Sequence, residues 1–85
     1  MKTITIDCTC IESREQLHAA FAAALSFPEW YGKNLDALHD CLCAITESTR
    51  ISLPGFRGLA SFARGFQIVL EDAEAENDCL IVDIL

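Results

Sequence analysis

Asp36, His39, Asp40 and Cys43 follow one another at i, i+3, i+4 and i+7 within the stretch LDALHDCLC. That spacing puts two carboxylates, an imidazole and a thiol on one face of a helix. An Asp–His pair could serve Cys41 or Cys43 as a nucleophile, but no oxyanion loop or glycine-rich phosphate cradle accompanies it. Two carboxylates are too few oxygen ligands for a hard divalent cation. The C-x-C pairs Cys8/Cys10 and Cys41/Cys43 lack the usual zinc spacing, with its two to four intervening residues. Residues i and i+2 diverge on a helix, whereas on a strand Cys8 and Cys10 would share a face, as two packed core thiols also would. No catalytic residue, metal or cofactor is expected.

Binding is the chemistry that remains. Asp36 falls in the first helical turn, where the macrodipole favours it, but Asp36 and Asp40 are like charges four apart and weaken the helix. Trp30 and Tyr31 stand just before them. Aromatics beside poorly compensated acids fit a protein interface; a solvated polar face is the plain alternative. A second acidic run, EDAEAEND at residues 71–78, opposes the dipole at the end of another helix, or simply aids solubility. His18 reads as a surface residue.

The chain of 85 residues carries thirteen Asp and Glu against six Lys and Arg, a net charge of −7. Such a surface disfavours nucleic acid and suits a basic protein. The 52% hydrophobic content supplies the core of one domain spanning residues 1–85. No apolar run approaches the ~20 residues of a membrane helix. The five cysteines are odd in number and come without a secretion signal. Reduced thiols and a cytoplasmic protein are expected, with no membrane partner.

Elements must position these residues. KTITIDC, residues 2–8, alternates as a half-buried strand with Ile4, Ile6 and Cys8 inward. Ser13 to Gln16 forms a capping box for a helix reaching about Leu25. Asn34 caps the next helix, where Leu35, Leu38, Leu42 and Ile45 make the buried stripe. Arg50–Leu53 reads as a strand closed by Pro54 and Gly55. A long stripe from Leu59 to Ala73 is one helix interrupted near Gly65, or a short helix and then a longer one. CLIVDIL ends the chain as a third strand. Long helical crossovers predict parallel strands. Polar residues alternating along those strands predict an α/β fold of two layers, a three-stranded parallel sheet with helices mainly on one face.

FPEWYGKNLDALHDCL, residues 27–42, closely resembles the signature of the barstar family, small intracellular inhibitors of secreted ribonucleases. The family fold is a three-stranded parallel sheet with helices packed on it. The resemblance implies an acidic surface that binds a basic ribonuclease one to one, in the place of RNA phosphates. Trp30, Gly32, Asn34, Leu35, Asp36, His39 and Asp40 match contact positions, with Asp40 at the centre. Cys43 and Ile45 match others in altered chemistry, and Asp72 and Glu76 match acidic contacts on the last helix. His39 stands where the family usually has Trp, and Trp30 where it usually has Tyr. This exchange removes stacking area and makes the face pH-sensitive. An adaptor for some other basic protein would keep the same fold and face.

Overall fold

Local signals decide where the elements start. The computed structural model describes residues 1–85. Its order is β1 (Lys2–Thr5), α1 (Arg14–Leu25), α2 (Leu35–Cys43), β2 (Thr49–Leu53), a 3₁₀ turn (Phe56–Gly58), α3 (Ala63–Glu76) and β3 (Leu80–Ile84). The sheet runs β1-β2-β3 with both pairs parallel, as the crossovers predict. Ser13 Oγ accepts the Gln16 backbone N–H at 3.2 Å to start α1. The Gln16 side chain reaches back one residue further than a capping box requires, accepting from Glu12 N–H at 2.6 Å.

β1 is shorter than its alternation, because Asp7 turns the chain. The Asp7 carboxylate accepts the Thr9 backbone N–H at 3.0 Å and the Thr9 hydroxyl at 2.7 Å. Those bonds, the backbone one first, hold its carboxyl below the usual value. Inward packing nonetheless continues past Thr5: Ile6 and Cys8 are buried, with Ile6 N–H bonded to Ser52 O at 2.9 Å and Cys8 N–H to Pro54 O at 2.8 Å. Past the turn Cys10 is exposed while Cys8 is buried, so the two thiols do not share a face.

Gly55 sits at the foot of β2 with φ of 83°, a left-handed conformation that side chains resist. A Cβ there would also lie 2.8 Å from Thr9 Cγ2 and 3.0 Å from Thr9 N.

One sheet face, carrying Ile51 and Leu53, is buried with Leu17, Phe21, Leu38, Leu42, Phe66 and Leu70 from the three helices. The other, carrying Thr3, Thr5, Arg50 and Ser52, is exposed or half-buried. Arg50 Nη1 meets Asp83 Oδ2 there at 2.8 Å across neighbouring strands. The two-layer reading holds.

Neither alternative for the stripe from Leu59 to Ala73 holds as stated: the 3₁₀ turn at Phe56–Gly58 ends before it, and the stripe is helical only from Ala63, in the unbroken α3. Gly65 does not interrupt α3. It thins the helix where α2 crosses, since a Cβ would lie 2.8 Å from Leu35 Cδ1. α2 stops at Cys43 with Ala44 as C-cap, so Ile45 lies beyond the helix that its spacing with Leu42 suggests.

Candidate functional site

The loop before α2 is held from beneath. His18 is 1% exposed, which overturns its reading as a surface residue. Its Nδ1 lies 2.6 Å from the Tyr31 hydroxyl, and its ring packs at 4.6 Å from Phe66. Burial, then the Arg14 charge, pushes the His18 ring below its ordinary value, against the nearby Glu15. Burial, then the Cys41 thiol, pushes the Tyr31 phenol up to about 12. Both rings are therefore neutral near pH 7. Tyr31 also packs on Phe27 at 4.9 Å. The two aromatics of the loop thus part company: Tyr31 is 6% exposed and Trp30 79%. One is core and the other is free to dock.

Lys33 adopts φ of 55°, which for a non-glycine residue costs about 1–2 kcal/mol. It turns the chain so that Asn34 can start α2. Asn34 Oδ1 accepts the Ala37 N–H at 2.8 Å, and its Nδ2 donates weakly to Gly32 O at 3.4 Å. Asn34 and Gly32 are thus more than contact candidates: they set the entry angle of the helix. A Cβ at Gly32 would lie 2.9 Å from Asn34 Nδ2.

α2 divides its polar residues between two neighbourhoods. Asp40 is exposed and lines a hollow of about 580 Å³ with Trp30, Gly32, Cys41 and Ile45. Burial, then the Asp40 charge, raises the Cys41 thiol there. On the other side His39 Nε2 meets Glu76 Oε2 of α3 at 2.8 Å. Cys43 Sγ lies 3.7 Å from His39 Nε2 and 3.6 Å from Glu76 Oε2. Asp36 is exposed in the first turn, and Leu35 is half-buried over Gly65. Asp72 is exposed on α3, one turn before Glu76.

The backbone at the C-terminal end of α2 is tied to the end of α3 by Asn77. Asn77 Nδ2 donates to Leu42 O and Ile45 O, both at 3.0 Å, while its Oδ1 accepts the Cys79 N–H at 3.0 Å. Leu42 O, which also accepts the Ile45 N–H at 3.3 Å, and Ile45 O just past the helix are both bonded in this way. The face carrying Asp36 and Asp40 is therefore fixed at its start by Asn34 and at its end by Asn77.

A family model described as Barstar (barnase inhibitor) matches residues 1–80. The chain belongs to the barstar family. A relative from Bacillus subtilis (strain 168), named "Putative ribonuclease inhibitor YrdF", is 50% identical over 42 residues, 49% of this chain and 46% of that protein. The chain thus spans under half the length of that relative. Membership supports ribonuclease inhibition in general terms. No helix is long and apolar enough to cross a membrane.

Two residues that hold this surface from behind are not announced by the sequence as supports. His18 is the one polar residue between Leu17 and Leu25, and on so apolar a helix a buried histidine was the reading to test. Asn77 lies within the acidic run 71–78 without any periodic signal, and only the fold brings it to α2.

Proposed function

We propose that this chain inhibits a basic ribonuclease by laying the loop at Trp30 and the outer face of α2 across the nuclease's active site. Asp40 is the central contact. It is exposed at the rim of an apolar hollow, beside an exposed Trp30, on a helix pinned at both ends. This one arrangement carries the reading. A carboxylate so placed can meet the Arg, Lys and His side chains that hold an RNA phosphate, through charge-assisted hydrogen bonds. The hollow beside it can receive a partner side chain. Gly32, Asn34, Leu35, Asp36 and Ile45 frame that contact, and Asp72 extends it onto α3. The net charge of −7 speeds encounter with a basic enzyme, behaviour for which this family's type complex is itself a standard example. The chain acts by occlusion, one to one and without catalysis, in the cytoplasm of a cell that secretes the enzyme.

Titration of a small basic guanyl-type ribonuclease tests this. Cleavage of RNA should fall to zero at one equivalent, and Asp40→Ala should weaken inhibition at least about tenfold, or 1.4 kcal/mol. Unchanged cleavage across a panel of such nucleases sinks the proposal.

A second reading rests on His39. Where the family usually offers an indole, this chain has an imidazole turned toward Glu76. An adaptor for another basic protein would keep Asp40 and Trp30 and dispense with that stacking surface. Capture of a non-nuclease partner by the wild type, lost with Asp40→Ala, would favour it.

A further inference from the structure

His39, Cys43 and Glu76 bring an imidazole nitrogen, a thiol sulfur and a carboxylate oxygen within 4.8 Å of one another. From these three side chains we infer a binding site for a borderline-soft divalent cation of the zinc type, at the joint between α2 and α3. The site goes beyond the inhibitor reading and does not depend on it.

The donor separations carry the inference. Zinc holds sulfur at about 2.3 Å, and nitrogen and oxygen at about 2.0–2.2 Å, in a tetrahedron. Around such an ion the sulfur lies about 3.6 Å from the nitrogen and from the oxygen, and nitrogen and oxygen lie about 3.4 Å apart. Here Cys43 Sγ is 3.7 Å from His39 Nε2 and 3.6 Å from Glu76 Oε2. Only the His39–Glu76 contact, 2.8 Å, is shorter. A metal would replace this hydrogen bond: the two groups would part by about 0.6 Å, and the His39 ring, whose Nδ1 lies 4.0 Å from Cys43 Sγ, would turn to aim Nε2 between the sulfur and the carboxylate. Glu76 is largely exposed, its side chain at 61%, so this movement disturbs no core packing.

The scaffold suits the task. His39 and Cys43 are four apart on α2, a spacing that aims both side chains to one side of a helix. Asn77, the residue next to Glu76, bonds to Leu42 O and Ile45 O and so holds the end of α3 against α2. The donor set selects the ion: sulfur with imidazole and one carboxylate favours zinc-like metals over magnesium or calcium, which take oxygen. A thiolate and a carboxylate balance a dication, and binding releases the thiol proton. Three protein ligands leave the fourth position to water or to a donor from another molecule. Of the two C-x-C pairs only Cys43 takes part; its pair-mate Cys41 packs against the core.

Cobalt(II), then Zn²⁺, tests the site on the full chain kept reduced with a phosphine. Expected is a thiolate-to-cobalt absorption band with tetrahedral visible bands, saturating at one equivalent and abolished by one equivalent of Zn²⁺. Cys43→Ser should abolish the band. His39→Ala and Glu76→Gln should weaken binding by at least the ~10-fold that loss of even an outer-shell partner brings. Cys10→Ser should retain it. Independently of any variant, Zn²⁺ should shift amide resonances of the wild type centred on residues 39–43 and 76. No thiolate band in the wild type, a band that survives Cys43→Ser or is lost in Cys10→Ser, or shifts centred elsewhere would overturn the site.

Discussion

The Tyr31 hydroxyl lies 2.6 Å from His18 Nδ1, joining the loop before α2 to the inner face of α1. Tyr31→Phe keeps the ring and removes only this bond, leaving the nitrogen of a buried histidine without its partner. Loss of stability by about 1–3 kcal/mol is expected, read as a lower urea midpoint at unchanged slope. Amide exchange should quicken in residues 27–33, since Trp30 and Gly32 hang on that anchor. Unchanged exchange there would remove the pair from the account of the loop.

The same pair sets a pH window. His18 titrates below its ordinary 6.5 when folded, so below that pH the unfolded chain binds the proton more readily. Stability should fall as pH drops through 6.5 and level once the folded ring also protonates. Tyr31 titrates at about 12 when folded against 10.0 ordinarily. Its contribution is present below pH 10 and lost as pH rises toward 12. Urea midpoints from pH 5 to 7 should slope upward with pH in the wild type, and less steeply in His18→Phe. Equal slopes would show that the acidic limb comes from other groups.

Gly65 and Leu35 should be energetically coupled. In an ordinary helix, Gly→Ala gains about 1 kcal/mol. At position 65 the new methyl meets Leu35 Cδ1 at 2.8 Å, so the gain should be reduced or reversed. In a Leu35→Ala background it should return. A double-mutant cycle reads the coupling, expected at about 0.5–3 kcal/mol. Additivity would mean that Leu35 moves aside freely.

Asn77→Ala removes three hydrogen bonds that hold the end of α2, the end of α3 and the start of β3 together. At about 0.5–1.5 kcal/mol each, a loss of about 2–3 kcal/mol in thermal or urea unfolding is expected. The amides of Ala44 and Ile45 should exchange faster. Asp78→Ala, at an exposed neighbour, should change little.

Sequence carried the local logic of this fold well. The Ser13 and Asn34 caps, the Leu38 and Leu42 stripe and the alternation of β2 are each decided by residues within a turn or two of one another. The contacts it did not carry span the chain. Asn77 reaches back 35 positions to Leu42, and Glu76 meets Cys43 from 33 positions away. Neither has a period or a spacing to announce it. The polar stripe of α2 was legible as a stripe. Its division, with Asp40 turned toward the hollow and His39 toward α3, depends on which neighbours the fold supplies. Tyr31 looks like Trp30 in sequence, and only the buried His18 tells them apart.

Glu74 reaches from α3 to β3, where its Oε2 accepts the backbone N–H of Val82 at 2.7 Å. β3 is an outer strand, and an outer strand with free amides invites another chain to pair with it. Here one amide on that rim is already taken by a charged side chain, which also brings negative charge to any approaching neighbour. Such an obstacle favours folded copies that stay apart at high concentration. An inhibitor of the kind proposed above, held ready before its target arrives, would gain from being stored without clumping.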